Sequence, residues 1–249
     1  MERPRLLLLP EFTELEWTIV PQLTEWAEVA TYDAPGVGAE EVSPEELERL
    51  ADDVKHRRAR VAQRGVEEIS RRGWQSCVLV SDSAGNLAAC RLAAEHPELV
   101  EGIALGHGCL SLDRDGKRAP INREIASAMD QLVGQDREQF VRHALTQLTG
   151  GSYDERMAEE MTERVPLTLL TRTWLQGGDD PASDLLEGLD IPLLLVKHEG
   201  CLMYTEEGFE DATAAFPEAE TASVPDKPSV SAEFAEILRG FCEKIPPAP

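Results

Sequence analysis

A serine at position 83 stands where an apolar segment ends and a helix-forming segment begins. The apolar segment is Cys77-Val78-Leu79-Val80, and the small residues Ser81 and Gly85 stand two positions to either side of the serine. A tight strand-to-helix turn strains the backbone of its central serine and exposes the hydroxyl, and it leaves room only for small neighbours. This pattern predicts a nucleophilic serine at the carboxyl edge of a sheet, where its hydroxyl could attack an acyl group.

A serine hydroxyl needs a base to act as a nucleophile at neutral pH, and three residues are candidates for that base. His107 and His198 both follow apolar segments, so both are expected at the sheet edge where Ser83 emerges. The alternative for either histidine is a ring satisfied by loop carbonyls. Lys227 is the third candidate, but a lysine acts as a base only when desolvation lowers its pKa. Its alternative is an ion pair with Asp226 or another carboxylate.

Short apolar segments alternate with longer amphipathic ones, which is the pattern of βα units and a mainly parallel sheet. A capping signal, Ser43-Pro44-Glu45-Glu46, predicts one long helix that ends at Gly73. Three more helices are predicted over 84–96, 205–216 and 231–244. The predicted strands cover residues 5–9, 28–32, 76–80, 102–105, 192–196 and 221–224.

The alternation of strands and helices stops between residues 112 and 189. This region contains helical segments at 121–133, 137–148, 154–164 and 167–175, and it has no convincing strand between them. We therefore predict a helical cap over 112–189, inserted into a doubly wound α/β core formed by 1–111 and 190–249. Trp174 lies in the predicted cap and is expected either to line a ligand pocket or to pack within the cap.

Besides the serine turn, four segments of the chain have a recognisable pattern. They are Leu6-Leu7-Leu8-Leu9-Pro10-Glu11-Phe12, Tyr32-Asp33-Ala34-Pro35-Gly36-Val37-Gly38, Ala94-Glu95-His96-Pro97-Glu98-Leu99-Val100-Glu101-Gly102-Ile103 and Ile191-Pro192-Leu193-Leu194-Leu195-Val196. Together with the serine turn, these segments resemble the α/β-hydrolase family. The resemblance covers most of residues 5–110 and 190–244 and implies that family's fold, with the backbone amides of Phe12 and Ala84 as the oxyanion hole. In this chain, Pro10 and Glu11 replace the family's His-Gly pair. The Glu11 carboxylate either opposes acyl transfer by adding negative charge there, or points to solvent.

The chain departs from the family at two of the three catalytic positions. The family's acid aligns with Cys201, whose thiol would stabilise an imidazolium poorly, and Glu199 replaces it only if the loop register shifts by two. The segment that carries the family's histidine, 224–231, contains no histidine. Loss of the base lowers the turnover of a serine protease by a factor on the order of 10⁶. Asp82, next to the serine, either tunes the pocket or faces away from it and pairs locally.

The composition limits the classes of partner. With 47 acidic and 24 basic residues the net charge is −23, so nucleic acid and anionic membranes would be repelled. The five cysteines are odd in number and widely spaced, which predicts neither a disulfide framework nor a metal site and fits a reducing cytoplasm. No segment has the length of a membrane span, and no cofactor motif is present.

These observations lead to three hypotheses. The first is an α/β-hydrolase-fold protein with a degenerate triad, which binds a small, mostly apolar molecule in a capped pocket or catalyses a non-hydrolytic step on it. The second is a serine hydrolase of the esterase or lactonase type, with Ser83 as nucleophile and His107 or His198 as the relocated base. The third is a protein–protein interaction role for the acidic surface, with a homodimer through the cap as its milder form.

Overall fold

The six strands found among the described residues agree closely with the predicted ones. The computed structural model describes residues 3–83, 85–106, 136–149, 153, 155–166, 168–169, 185–199 and 206–246. Within these ranges the strands are β1 (Arg5–Leu9), β2 (Glu28–Ala30), β3 (Cys77–Asp82), β4 (Val100–Gly106), β5 (Leu193–His198) and β6 (Glu220–Val224).

All six strands are parallel and form one sheet in the order β2-β1-β3-β4-β5-β6. The chain runs from β1 to β2 on one side and then returns to place β3 on the other side of β1. In parallel α/β sheets, ligands bind outside the carboxyl ends of the strands at such a reversal point. The ends of β1 and β3 therefore define where a functional site is expected.

The helices follow the strands as predicted, with one correction. The single long helix predicted between Ser43 and Gly73 is wrong, because the chain breaks it at Asp53. Asp53 is extended, with φ −119° and ψ 96°, and its carboxylate accepts the backbone N–H of His56 at 2.9 Å. An aspartate can cap a new helix in this way and so compete with continuation of the old one. The helices are α1 (Val20–Thr24), α2 (Pro44–Asp52), α3 (Val54–Arg72), α4 (Gly85–Glu95), α5 (Arg137–Thr149), α6 (Glu155–Arg164), α7 (Glu206–Ala215) and α8 (Ala232–Cys242).

The sheet buries apolar side chains on both faces. Leu7 and Leu9 of β1 belong to one buried cluster and Leu6 and Leu8 to the other, as the alternation of side chains along a strand requires. Helices α2, α3 and α4 contribute to the first cluster, and α1 and α8 contribute to the second.

Helices α5 and α6 belong to the region predicted as a cap. Phe140 of α5 and Met157 of α6 are buried in the same cluster as Leu7 and Leu9. Arg164, the last residue of α6, forms an ion pair with the buried Asp33 after β2, with 2.6 Å between Nη2 and Oδ2. The described part of this region is therefore tied to the β2 side of the fold, while the division of the chain into core and cap stays a prediction. Within the described ranges, no helix combines the length and apolar character needed to cross a membrane.

Candidate functional site

Ser83 follows β3 in a left-handed backbone conformation, with φ of 56°. This region costs an L-residue about 1–2 kcal/mol, so the surrounding structure must hold the serine there. The backbone N–H of Ser83 donates to the carbonyl of Gly106 at 3.3 Å, and its own carbonyl accepts the N–H of Asn86 at 3.2 Å. The strained strand-to-helix turn expected from the sequence is present, and Ser83 is buried within it.

Small residues flank the serine because backbone and side chains crowd the turn. A Cβ atom at Gly85 would lie 3.0 Å from the carbonyl oxygen of Leu9, so α4 begins directly against the end of β1. The hydroxyl of Ser81 donates to Oδ1 of Asn86 at 2.7 Å, and Nδ2 of Asn86 donates to the carbonyl of Gly106 at 2.7 Å. The buried Asn86 side chain thus joins the ends of β3 and β4 beneath the serine.

The backbone amides of the loop after β1 donate hydrogen bonds to a side-chain carboxylate of the same loop. Glu16 is buried, and its oxygens accept the backbone N–H groups of Glu11 at 3.1 Å, Phe12 at 2.9 Å and Thr13 at 2.9 Å. The Phe12 amide, which the family resemblance assigns to the oxyanion hole, is therefore hydrogen-bonded to a carboxylate. A capping box, Thr13-x-x-Glu16, was the sequence signal for this arrangement, and it was missed.

The segment after β6 is attached to β3 by a buried ion pair. Nζ of Lys227 lies 3.8 Å from Oδ2 of Asp82, and the same oxygen accepts the backbone N–H of Ser229 at 3.2 Å. A Cβ atom at Gly106 would lie 2.7 Å from Cγ of Pro228, so the end of β4 also packs against this segment. Asp82 therefore pairs with residues far along the chain rather than locally, and a lysine occupies the segment where the family carries its histidine.

Glu11 interacts electrostatically with Lys227 and Asp82, and it is partly buried. Burial raises its pKa from 4.5 to about 7; Glu16 and Asp82 also raise it, while Lys227 and Arg57 oppose the rise.

The pKa values of two other buried groups nearby, Glu16 and Arg57, also differ from their ordinary values. Burial raises the pKa of Glu16, against the opposing effects of Lys227 and of the loop amides. Arg57 is buried in α3, where burial lowers its pKa to about 10 and its Nη1 donates to the carbonyl of Leu50 at 3.4 Å.

His198 is the last residue of β5, where it pairs in register with Val224 of β6. It is 5% exposed, and burial lowers its pKa, with Lys227 adding to the effect and Asp82 opposing it. The imidazole is therefore neutral at pH 7 and belongs to the same electrostatic group as the Lys227–Asp82 pair.

Of the predicted site residues, the structure brings Ser83, Asp82, Glu11, Phe12 and His198 to the carboxyl edge of the sheet. Four further predicted site residues, His107, Ala84, Cys201 and Trp174, lie outside the described residues. No group of three or more potential metal ligands is found among the residues that the structure describes.

A cavity of about 530 Å³ lies at the opposite edge of the sheet. Its walls come from residues 186–193, which lead into β5, from residues 215–219, which begin at the last residue of α7, and from Ile103. Because these residues precede β5 and β6, the cavity is separated by the sheet from the serine turn.

The parallel strand order, with a strained serine turn between β3 and α4, defines the α/β-hydrolase fold. Solved structures confirm the fold at low sequence identity. A hydrolase from Oleispira antarctica matches with a TM-score of 0.76 and 14% identity, over 98% of this chain and 92% of that one. An esterase from Exiguobacterium antarcticum matches with a TM-score of 0.77 and 13% identity, over 98% and 93%.

The enol-lactonase from Burkholderia xenovorans LB400 shares the fold with a TM-score of 0.68 and 16% identity, over 98% of this chain and 93% of that one. No protein-family model and no curated protein matches the sequence.

Proposed function

We propose that this chain is an α/β-hydrolase-fold protein that forms no acyl-enzyme at Ser83. It binds a small, mostly apolar molecule beside the serine turn, or catalyses a non-hydrolytic step on it. The observation that carries this proposal is the hydrogen bond, 2.9 Å long, from the Phe12 amide to the buried Glu16 carboxylate. Acyl transfer needs free donors where the oxyanion develops, and losing one donor costs about 10²–10³ in turnover. A carboxylate at those donors also adds charge of the wrong sign.

The Lys227–Asp82 ion pair supports the same proposal. Lys227 stands in the segment where a base would be expected, but an ammonium that is paired with a carboxylate already holds its proton. It therefore stabilises the segment after β6 instead of activating Ser83. Without a base, the serine hydroxyl is a weak nucleophile at neutral pH.

A serine hydrolase is the second candidate, and two observations favour it. The strained conformation of Ser83 is retained, and such strain often accompanies function. His198, neutral at pH 7, is able to accept a proton, and His107 is the other candidate base. Two of the structural neighbours are an esterase and an enol-lactonase, which fits the substrate class proposed for this alternative.

Labelling with a fluorophosphonate, followed by intact-mass measurement, separates the two candidates. We expect no adduct on the wild-type protein beyond the background of a Ser83→Ala variant. A stoichiometric adduct that Ser83→Ala abolishes would contradict the proposal. In that case, comparison of His198→Ala with His107→Ala identifies the base, because only loss of the true base removes the adduct.

Ligand binding is tested separately, by thermal unfolding with neutral aromatic compounds of low molecular mass. A ligand that binds only the folded state stabilises it by about 2.7 kcal/mol at one hundred times its dissociation constant. We expect stabilisation by members of this set in wild type and in Ser83→Ala alike, since no covalent step is involved.

A further inference from the structure

When all of them are ionised, the charged groups around Ser83 carry an excess of negative charge. Glu11, Glu16 and Asp82 supply three carboxyl groups, and Lys227 and Arg57 supply two cations, so full ionisation leaves one negative charge uncompensated. Glu16 is further satisfied by three backbone amides, which are the groups of this loop that would otherwise attract an anion. The edge is thus electrostatically suited to a cation and unsuited to a carboxylate ligand.

One carboxylate oxygen of this group has no donor among the described residues. Asp82 is 4% exposed, and its Oδ2 is bonded to Ser229 and close to Lys227, whereas its buried Oδ1 lacks a hydrogen-bond partner. The buried hydroxyl of Ser229 lacks one as well. Buried polar atoms are nearly always paired, and each that is not requires an explanation. A donor supplied from outside the chain would satisfy both.

An ammonium group is the donor that fits these two atoms. It carries three N–H donors and no acceptor, so it can bond a carboxylate and a hydroxyl oxygen together. Glu11, at the same edge of the sheet, is a partly buried residue. The chain's net charge of −23 also draws cations toward the molecule.

We infer that the site beside Ser83 binds a protonated amine with an apolar body, whose ammonium group is held by the carboxylates of Asp82 and Glu11. This inference rests on the proposed ligand-binding function and specifies the chemical class of the ligand. The apolar body fits the mostly apolar molecule proposed above.

The inference also makes binding depend on pH. Glu11 is faced by Glu16 from the loop after β1, Asp82 from β3, Lys227 from the segment after β6 and Arg57 from α3, and its pKa is raised to about 7. A primary amine stays protonated well above that value, as a lysine does. Amine binding should therefore strengthen as the pH rises through 7, because Glu11 then gains its charge.

Three compounds of the same shape test the ligand class. Phenethylamine, 2-phenylethanol and phenylacetate share a phenyl ring and a two-carbon chain, and they carry positive, zero and negative charge. By isothermal titration calorimetry at pH 8, we expect phenethylamine to bind at least about tenfold more tightly than phenylacetate. Its affinity should fall by about fivefold at pH 6 as Glu11 becomes protonated.

The Glu11→Gln variant should lose this pH dependence and most of the preference for phenethylamine over phenylacetate. The matched control is Glu25→Gln at the exposed end of α1, which should leave both unchanged. Circular dichroism verifies that both variants fold. Equal binding of all three compounds, binding of none, or a pH dependence that persists in Glu11→Gln would overturn the inference.

The proposed function fails by a different result. An adduct of Ser83 with fluorophosphonate contradicts the proposed function whatever the charge preference of the site. Conversely, suppose that 2-phenylethanol binds as well as the amine and that Ser83 stays unlabelled. The proposed function is then retained, and only the inference that the ligand is an amine is contradicted.

Discussion

The backbone strain at the single residue Ser83 can be measured with two substitutions. A φ of 56° costs an L-residue about 1–2 kcal/mol, while glycine adopts it freely but loses more entropy on folding. We therefore expect Ser83→Gly to be more stable than Ser83→Ala by about 1 kcal/mol in urea unfolding. Both variants remove the hydroxyl, so they differ only in the Cβ methyl group and in its effect on the backbone. An alanine variant as stable as the glycine variant would show that the turn is unstrained.

The buried Lys227–Asp82 pair should contribute to folding far more than a surface pair does. Replacing one partner leaves the other charge buried, and the expected loss for Lys227→Met or Asp82→Asn is about 3–5 kcal/mol. The double variant should recover much of that loss, since neither charge then remains. The exposed Lys244–Glu220 pair is the control, and Lys244→Met should change the unfolding free energy by less than about 1 kcal/mol. Additive losses in the double variant would argue against the pair.

Among the site residues, those that belong to a local pattern were the ones that sequence reasoning identified. Ser83 was identified because strand, small residues and helix adjoin it in the chain. Lys227 was considered because it follows the last strand, but the sequence did not identify Asp82 as the carboxylate that pairs with it. Phe12 was expected to be a free donor, whereas Glu16 four residues later bonds its amide. That bond depends on how the loop folds back, which a list of residue types does not specify.

At the scale of elements, the break between α2 and α3 shows what a single capping residue does. Asp53 accepts the His56 amide and begins a new helix where a continuous one was predicted. We expect Asp53→Ala to lower the unfolding free energy by about 1 kcal/mol. Asp53→Asn retains an acceptor and should cost much less. Equal losses in chemical denaturation would mean that the carboxylate acts through its charge rather than as a cap.

The element boundaries were predicted well wherever polar or small residues limit an apolar segment. All six strands were predicted within a few residues, and α4, α7 and α8 follow theirs as expected. The N-terminal 3-10 turn Glu14–Glu16 and the short helix α1 were missed, because such short elements have too few residues for a periodic pattern.

At the scale of the whole molecule, Glu11 makes folding stability depend on pH. Its pKa is about 7 in the folded protein and near 4.5 otherwise, so the folded state binds more protons between those values. The stability contributed by protonated Glu11 is complete below pH 4.5 and is lost as the pH rises to about 7. Relative to Glu11→Gln, the wild type should lose stability across this window, measured by urea unfolding at each pH. Parallel curves for the two proteins would contradict the raised pKa.

The sequence by itself determined the class of fold and the position of the serine turn, because both depend on neighbours along the chain. Consecutive leucines in β1 indicate a strand that is buried on both faces, and small residues around Ser83 permit the turn. Only the tertiary structure decided what surrounds that serine. Asp82 and Ser229 are 147 residues apart along the chain and meet because the strand order brings the ends of β3 and β6 to one edge. Such pairing follows from packing of the entire sheet, which no local pattern contains.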